Sequence, residues 1–372
     1  MKIIFCTDGI FPIAVGGMQR HSRLLVEALS VFEDLQIIVV HPHKNEKIFN
    51  GRINIIEQPV DPPPRKKQYL LECYDYSKRV YRVINNHPDA IIYSQGLSVW
   101  AGIKYIGDRV IVNPHGLESY QAIGIKNKLI GVPFKLIFDY IFRNSRKVVS
   151  LGGRLTDILH SRIPGGNDRV VVLPNGTNIT HDNAPVRSFK EPIKFLFVGR
   201  FARNKGIHIL IEAIKILNQR GYQERLKFHF VGKGPLFKKY SETISSNNVV
   251  FHGYVDDERL NDLYKKSDAF ILPTLFEGMP TVVLEAMKFG LPVIVTDVGA
   301  TREMVDKNNG YLINKNDVHN LVRAIIDYVN SPLQQKRNMS DISFLRVKQS
   351  FTWDVIAHNH REVFKNMYNE LN

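Results

Sequence analysis

The stretch Leu275-Phe276-Glu277-Gly278-Met279-Pro280-Thr281-Val282-Val283-Leu284-Glu285-Ala286-Met287 places two carboxylates eight residues apart across the start of a predicted helix. Pro280 suits the first helical position, where its missing N–H has no intrahelical partner to lose. Glu277 and Gly278 then fall in the preceding loop, where free backbone N–H groups and the positive end of the helix dipole converge. Glu285 falls inside the helix in an apolar run, where a carboxylate is costly unless it finds donors. Either a ligand supplies those donors, or Glu285 is exposed and pairs with Lys288 at i,i+3.

Three further motifs precede this stretch, each at the end of a predicted strand. Phe197-Val198-Gly199-Arg200 runs into Phe201-Ala202-Arg203-Asn204-Lys205-Gly206, Val231-Gly232-Lys233-Gly234-Pro235 follows the next strand, and Phe251-His252-Gly253-Tyr254-Val255 follows the one after. In this order and spacing, the four motifs resemble those of the retaining glycosyltransferases of family 4, which have the two-domain GT-B fold. The resemblance covers nearly the whole chain and is strongest from about residue 193 to 327.

The resemblance implies roles for particular residues. In that family the matching Arg and Lys grip the donor diphosphate, and the paired Glu residues contact the donor sugar and ribose. The implied catalytic set is His115, Arg200, Lys205 and Glu277. The implied donor-binding set is Gly16, Gly17, Gly232, Gly234, Tyr254, Gly278, Met279, Pro280 and Glu285. The implied reaction is metal-independent and retaining, with a UDP- or GDP-linked sugar as co-substrate and the leaving phosphate helping to deprotonate the acceptor.

The residue types also suit this chemistry on physical grounds. Fixed cations stabilise the charge that develops on a departing diphosphate; Arg200 offers a bidentate fork and Lys205 a point charge. The alternative is an exposed loop pair, and Arg203 between them is expected to face solvent. Gly232 and Gly234 would let a nucleotide base lie against bare backbone. Asp256-Asp257 suits the first turn of a helix better than a metal site, and no metal-ligand spacing is present.

Two features of the first half of the chain are candidates for the same site. Gly16-Gly17 begins a predicted helix after the first strand, where glycines allow the backbone to approach a phosphate or sugar closely; they match the acceptor-side loop of family 4, the alternative being a tight turn. His115 ends a strand and precedes Gly116, which favours a site residue over a core histidine. In similar enzymes the matching His bonds a donor-sugar hydroxyl, and it is not expected to act as a general base. The other twelve histidines are expected to be surface or packing residues.

Short apolar runs alternate with helical patterns along the chain, which is typical of βαβ units and a parallel sheet. The predicted fold is therefore α/β and, by the resemblance, GT-B: two doubly wound Rossmann-like domains facing across a cleft. The expected domains are an acceptor-side domain (1–180), a donor-binding domain (181–350) and a C-terminal helix (351–372) that crosses back onto the first domain. The strands are expected near 2–8, 36–41, 53–57, 90–94, 109–114, 147–151, 170–173, 193–199, 227–232, 249–252, 268–273, 292–296 and 310–313.

Composition narrows the class of protein. A chain of 372 residues with 44% hydrophobic content fits two domains, and no apolar run is long enough to span a membrane. The start of the chain does not resemble a signal peptide, and two cysteines give no disulfide framework; a cytoplasmic location is expected. The net charge of +14 is shared as +8 for residues 1–180 and +6 for the rest. With no nucleic-acid-binding motif present, anionic donors or membrane surfaces explain the excess better than nucleic acid.

The function predicted from these features is transfer of a sugar from a nucleotide-diphosphate donor to a glycan or lipid-linked acceptor. By analogy with the family, the pathway is surface polysaccharide or lipopolysaccharide assembly. The alternatives are a catalytically idle GT-B scaffold that binds a lipid or protein partner, and a nucleotide-sugar epimerase.

Residues 126–147 suggest a second binding partner. They carry six cations, one anion and a dense set of aliphatic and aromatic residues, more than one buried helix face requires. Basic residues beside aromatic ones are typical of interfacial helices. The segment therefore predicts docking on the inner face of the cell membrane, although Pro133 divides it and the part after Pro133 could instead be a core helix.

Overall fold

The chain forms two compact units, each built on its own parallel sheet. The computed structural model describes residues 1–44, 46–62, 68–122, 124–163 and 165–371. Unit 1 comprises Met1–Leu151, Leu155–Gly176 and the chain from Trp353 onward, and unit 2 comprises Gly152–Arg154 and Thr177–Thr352. Each unit is Rossmann-like, with helices around a parallel sheet, which confirms the predicted α/β class with two doubly wound units.

Unit 1 is a seven-stranded parallel sheet in the order β3-β2-β1-β4-β5-β6-β7. Its strands are β1 (Lys2–Cys6), β2 (Gln36–His41), β3 (Ile55–Pro59), β4 (Ile91–Gln95), β5 (Val110–Asn113), β6 (Lys147–Ser150) and β7 (Val170–Val172). Its helices are α1 (Gly17–Leu29), α2 (Tyr69–Asn85), α3 (Ile103–Ile106), α4 (Glu118–Gln121), α5 (Ile125–Arg143), α6 (Arg154–Arg162, beginning at the join with unit 2), α7 (Gly166–Arg169) and, at the C-terminus, α15 (Trp353–Leu371).

Unit 2 is a six-stranded parallel sheet in the order β10-β9-β8-β11-β12-β13. Its strands are β8 (Ile193–Val198), β9 (Leu226–Val231), β10 (Val249–Gly253), β11 (Ala269–Leu272), β12 (Val293–Thr296) and β13 (Gly310–Ile313). Its helices are α8 (Ile207–Gln219), α9 (Phe237–Thr243), α10 (Asp257–Lys266), α11 (Thr281–Lys288), α12 (Thr301–Met304), α13 (Val318–Asn330) and α14 (Leu333–Ser350). Every predicted strand is present, and the strand bounds differ from the prediction by at most two residues, at β3 and at the end of β1.

The central strands are buried on both faces because helices cover both sides of each sheet. β4, β5, β11 and β12 are buried along their whole length, and β5 and β12 each begin with the aliphatic run Val-Ile-Val that suits a strand covered on both faces. In unit 1 the core joins α1 and α15 to the sheet: Ile356, Phe364 and Met367 of α15 pack in one cluster with Phe5, Leu25 and Tyr93.

The strand orders place a topological switch point in each unit. In unit 1 the chain runs from β1 through β2 to β3 at one edge of the sheet, and then returns to the other side of β1 and runs from β4 to β7 at the opposite edge. Unit 2 repeats this pattern, with β8 to β10 on one side and β11 to β13 on the other. Loops that leave the carboxyl ends of two such strands diverge and open a crevice, where ligands bind in open α/β sheets. The loops after β1 and β4 in unit 1, and after β8 and β11 in unit 2, are therefore the places to look for a site.

Candidate functional site

In unit 2 the loops after β8 and β11 are joined by an ion pair at the switch point. Lys205 donates to Glu277 with 2.5 Å between Nζ and Oε1, and the side chains are only 23% and 12% exposed. The Thr274 hydroxyl donates to the same carboxylate oxygen at 2.9 Å. Two donors on one oxygen fix the position of the Glu277 side chain in a partly buried environment, so the crevice presents a cation and a fixed carboxylate side by side.

The backbones of the two loops are also locked together. The Asn204 carbonyl accepts from the Leu275 N–H at 2.7 Å, and its oxygen lies 2.9 Å from Thr274 Oγ1. Gly206 has φ +70°, and a Cβ there would lie 1.7 Å from the Pro273 carbonyl oxygen. Any other residue would force the loops apart, so glycine at this position is what brings Lys205 within reach of Glu277.

Gly232 and Gly234 pack against the loop after β8. Gly232 has φ +127°, and a Cβ would lie 2.0 Å from the Gly199 carbonyl oxygen; at Gly234 it would lie 2.7 Å from the Phe201 carbonyl oxygen. The structure thus gives these glycines a packing reason that the sequence did not: they let the loops after β8 and β9 come into backbone contact. A role in accommodating a nucleotide base remains a prediction.

Arg200 lies on the same carboxyl edge of the sheet as Lys205 and is exposed. Among the residues the structure describes, none forms an ion pair with its guanidinium group, which leaves the five N–H donors available to an anion. Arg203 is exposed, as predicted. Tyr254, after β10, is 75% exposed and so presents its ring at this edge.

The loop before α11 contains Glu277 and Gly278, as the sequence predicted, but Pro280 lies one position earlier than expected. Pro280 is the extended N-cap residue (ψ 105°), and the helix begins at Thr281. The Met279 and Pro280 side chains are buried, so any contact they make with a ligand would be through the main chain.

Glu285 lies in the second turn of α11 and is half-buried. It accepts from the Tyr264 hydroxyl at 3.2 Å between Oη and Oε2. Burial, and then the negative charge of Glu285, raise the pKa of Tyr264 well above its ordinary range, so the tyrosine stays a donor. The second carboxylate oxygen leaves Glu285 with capacity for further donors.

In unit 1 neither Gly16 nor Gly17 is glycine for conformational reasons. Gly16, the N-cap of α1, has the extended angles φ 170° and ψ 168°, which other residues adopt. A Cβ on Gly17 would meet nothing within 4 Å, and one on Gly16 would meet only the end of the flexible Gln19 side chain. The alternative that these glycines serve only a tight turn therefore loses its support. Open space at the start of a helix suits a ligand that approaches the backbone.

His115, directly beyond β5, has a strained backbone. Its φ is +59°, a left-handed conformation that costs a non-glycine residue about 1–3 kcal/mol and persists only where its surroundings impose it. Its N–H donates to Asn113 Oδ1 at 2.8 Å, and its ring Nε2 contacts Gln95 Oε1. An amide oxygen only accepts, so Nε2 carries the ring proton.

The electrostatic environment of His115 keeps it uncharged. Burial, reinforced by His360, lowers the pKa of His115 to about 3. A histidine with so low a pKa is a poor proton acceptor near neutrality, in line with the prediction that His115 is not a general base. It can position a hydroxyl group instead.

Sequence reasoning missed the polar residues that surround His115. Gln95 and Asn113 end β4 and β5 and are register partners; polar residues closing apolar strands side by side were a usable signal. The Gln95 amide nitrogen is buried with no partner among the described residues, which leaves a donor available. His360 and His21, expected at the surface or in packing, are buried next to this group, and helical spacing gave no indication of their partners.

The described residues lack two features, a metal-ligand cluster and a membrane-spanning helix. Within the described ranges, no group of three or more His, Cys, Asp or Glu side chains is placed to hold a metal ion. The Asp256-Asp257 pair caps α10 as predicted, with Asp256 Oδ1 accepting from the Arg259 N–H at 2.8 Å. None of the described helices is both long and apolar enough to cross a bilayer.

Comparison with known proteins identifies relatives over the whole chain. It is 25% identical over 379 residues to an uncharacterized glycosyltransferase of Methanocaldococcus jannaschii, covering 99% of both chains. It is 29% identical over 217 residues to the O-antigen chain mannosyltransferase C of Escherichia coli, covering 55% of each. Among solved structures, Anabaena HepE in complex with UDP and glucose superposes with a TM-score of 0.67 at 18% identity, covering 98% of this chain and 99% of that one.

Two family descriptions divide the chain between them. Residues 15–181 match "Glycosyltransferase Family 4", and residues 178–343 match "Glycosyl transferases group 1". The first match contains Gly16, Gly17 and His115, and the second contains the Lys205–Glu277 pair. The chain belongs to the group 1 glycosyltransferases, family 4.

Proposed function

We propose that this glycosyltransferase is a retaining, metal-independent enzyme that takes its sugar from a nucleotide-diphosphate donor. The observation that carries the proposal is the Lys205–Glu277 pair at the switch point of unit 2, beside the exposed Arg200. A diphosphate bound there meets two cations without a metal ion, and a sugar bound there meets a carboxylate that is held in place by Lys205 and Thr274.

In the proposed reaction the bond between the sugar's anomeric carbon and the diphosphate oxygen breaks. A bond from the acceptor oxygen to the same carbon forms on the same face. The departing diphosphate gains negative charge, which Arg200 and Lys205 stabilise more in the transition state than in the ground state, and the acceptor's hydroxyl proton passes to a diphosphate oxygen. Neutral His115 hydrogen-bonds a sugar hydroxyl, and Glu285 accepts from the ribose.

The proposed donor and acceptor classes are supported by relatives. HepE is in complex with UDP and glucose, which supports a nucleotide-sugar donor; the proposed donor is a UDP- or GDP-linked sugar. The similarity to an O-antigen mannosyltransferase supports a glycan or lipid-linked acceptor in surface polysaccharide or lipopolysaccharide assembly. Gly16, Gly17, Gly232, Gly234, Tyr254, Gly278, Met279 and Pro280 are proposed to line the bound donor.

Binding and turnover measurements test the proposal. Titration calorimetry with UDP, GDP and ADP should show preference for one base, and a donor panel with product detection by mass should show an acceptor that gains one sugar. No binding of any nucleotide would favour an idle scaffold. An altered sugar still attached to its nucleotide would favour an epimerase.

We also propose that the protein works at the cytoplasmic face of the cell membrane, with α5 as the docking element. The apolar residues Ile125, Leu129 and Leu136 of this helix are 80%, 66% and 65% exposed. Lys126 and Lys128 are exposed beside them. Large apolar groups open to water next to cations suit an anionic bilayer surface better than bulk solvent.

The rest of α5 clarifies how the helix is divided. It runs without a break through Pro133, and its buried residues are Gly131, Ile141 and Phe142. Its one acid, Asp139, accepts from the Tyr120 hydroxyl at 2.8 Å and lies 3.8 Å from Arg162. The C-terminal part therefore anchors α5 to unit 1, the N-terminal part is left open to solvent, and the charge of the open part is positive.

A further inference from the structure

A line of hydrogen bonds connects the C-terminal helix α15 to the strained backbone of His115, entirely within unit 1. On α15, His360 Nδ1 lies 2.8 Å from the Ile356 carbonyl oxygen, and His360 Nε2 lies 3.1 Å from the Tyr93 hydroxyl. Asn113 Nδ2 donates to the same hydroxyl at 3.0 Å. Asn113 Oδ1 then accepts the His115 N–H at 2.8 Å.

The direction of every bond in this line is fixed by its two ends. The Ile356 carbonyl can only accept, so His360 Nδ1 carries a proton and Nε2 of the neutral ring accepts from the Tyr93 hydroxyl. Tyr93 therefore has its oxygen free to accept from Asn113, whose amide oxygen is turned toward the N–H of His115. Starting instead from His115, whose N–H can only donate, gives the same assignment, so the line has one consistent polarity.

These groups have no solvent to replace a lost partner. The side chains of Tyr93, Asn113 and His360 are fully buried. The Tyr93 ring is held between Phe5 and Phe364, with centroids 5.3 and 5.6 Å away. Burial lowers the pKa of His360 to about 4, so the ring remains the neutral acceptor that the line requires. In such surroundings each bond is strong and each broken bond is costly.

We propose that Tyr93 and His360 are positioning residues for His115, holding its left-handed backbone conformation through Asn113. The proposal rests on the proposed role of His115 at the donor sugar. The His115 N–H donates to the Asn113 amide oxygen, and the bond from Asn113 Nδ2 to the Tyr93 hydroxyl holds the amide in the orientation that presents this oxygen. Neither Tyr93 nor His360 touches the reacting atoms in this scheme.

Kinetics of three variants test the functional half of the proposal. Tyr93→Phe removes only the hydroxyl, and His360→Leu removes the acceptor on α15. Both should lower kcat about 10- to 100-fold, as expected when a reacting geometry is displaced by about 1 Å, without changing nucleotide affinity. His360→Gln places an amide oxygen where Nε2 was and should recover most of the turnover. Turnover per folded molecule within twofold of wild type in both Tyr93→Phe and His360→Leu would overturn the proposal.

The matched control is Met367→Ala, which removes packing from the same core on the same face of α15 and keeps both Phe5 and Phe364 against the Tyr93 ring. It should lower the melting temperature while leaving kcat at 25 °C unchanged. A loss of kcat in Met367→Ala equal to that in His360→Leu would mean that general core damage, and not the line of bonds, controls His115.

Hydrogen exchange of the His115 amide tests the structural half without any turnover. Exchange should be faster in Tyr93→Phe and His360→Leu than in wild type, and close to wild type in His360→Gln and Met367→Ala. Equal exchange in all five proteins would overturn the proposal. Since this readout needs neither donor nor acceptor, it distinguishes failure of the positioning mechanism from failure of the proposed reaction.

Discussion

Lys205 and Glu277 form an ion pair at 2.5 Å although 72 residues separate them in the chain. The pair closes the switch point of unit 2, because one partner follows β8 and the other follows β11. Each charge is largely withdrawn from water, so removing one leaves the other poorly solvated. The two residues are thus coupled in the resting protein as well as in the proposed reaction.

The first prediction follows from this coupling. Lys205→Met and Glu277→Gln should each lower kcat/KM about 10²-fold, the usual effect of removing one preorganised charge. The fold-loss of kcat/KM in the double variant should be smaller than the product of the fold-losses in the two single variants, since the partners contact each other. Glu191→Gln is the control: it breaks an exposed pair with Arg225 in the same unit and should leave kinetics unchanged. Strictly multiplicative losses would show that the pair does not act as a unit.

Substitutions of Arg200 and of Glu285 should affect different kinetic quantities, turnover for Arg200 and nucleotide affinity for Glu285. Arg200→Ala should lower kcat about 10²-fold or more with little change in nucleotide affinity. Glu285→Ala should instead weaken binding of the nucleoside diphosphate, and it should destabilise unit 2 by about 1–3 kcal/mol because the buried Tyr264 hydroxyl loses its acceptor.

Two further variants sharpen the Glu285 experiment. Glu285→Gln keeps an oxygen for Tyr264 and should restore stability but not full affinity. Glu212→Ala, on the exposed face of α8, should change neither quantity. Calorimetry and steady-state kinetics measure both effects, and wild-type affinity and turnover in Arg200→Ala and Glu285→Ala together would show that the site is elsewhere.

Turnover should survive an excess of EDTA. The exposed Arg200 guanidinium and the Lys205 ammonium can neutralise the donor diphosphate without a divalent ion. The measurement is the initial rate before and after chelation, with Mg²⁺ or Mn²⁺ added back. A rate that disappears with EDTA and returns with either metal would contradict the prediction.

The sequence predicted the fold well because the fold depends on patterns that are local. Apolar runs of strand length alternate with helical spacing, and motif residues such as Arg200 follow strands directly. The helix after Lys205 shows the same point: Leu210, Ala213, Ile214 and Leu217 are buried, and Gly221, with φ +83°, follows its end.

The contacts that organise the candidate site could not be predicted, because they join distant parts of the chain. Nothing near Lys205 indicates that its partner is Glu277, and nothing in α15 indicates that His360 accepts from Tyr93, 267 residues away. The glycine at 232 was interpreted as space for a ligand, whereas its immediate neighbour is the Gly199 carbonyl. Such contacts depend on tertiary packing, which the local patterns of a single sequence do not indicate.

Unit 1 should lose stability as the pH falls below the ordinary pKa of a histidine side chain. Burial lowers the pKa of His360 to about 4 from its ordinary 6.5. Between pH 6.5 and about pH 4, His360 is protonated in the unfolded chain but stays neutral in the folded protein. Its contribution to the free energy of unfolding is therefore fully present above pH 6.5 and is lost as the pH falls to about 4. Between pH 7 and pH 5 this one group should cost about 2 kcal/mol.

Urea unfolding at the two pH values measures this effect. Both tryptophans of the chain, Trp100 and Trp353, lie in unit 1, so intrinsic fluorescence reports its unfolding selectively. His360→Gln, which cannot titrate, should show a pH dependence smaller by about 2 kcal/mol. The same pH dependence in both proteins would mean that His360 is not held neutral by burial.

The last prediction is that α5 binds anionic membranes. Vesicles containing anionic lipid should sediment the protein, neutral vesicles should not, and high salt should release it, because the attraction is screened within a Debye length.

Changing Lys126, Lys128 and Lys135 to Glu should weaken binding at least about 100-fold, since each cation contributes about 1 kcal/mol at such a surface. Leu129→Ser with Leu136→Ser should also weaken it, by removing exposed apolar groups that would enter the headgroup region. The matched control changes Lys238, Lys239 and Lys265 of unit 2 to Glu, which alters net charge by the same amount on exposed lysines that are not part of α5. If that control loses binding as completely as the α5 variant, net charge and not the helix is responsible, and if the wild-type protein stays in the supernatant with anionic vesicles, α5 does not dock at all.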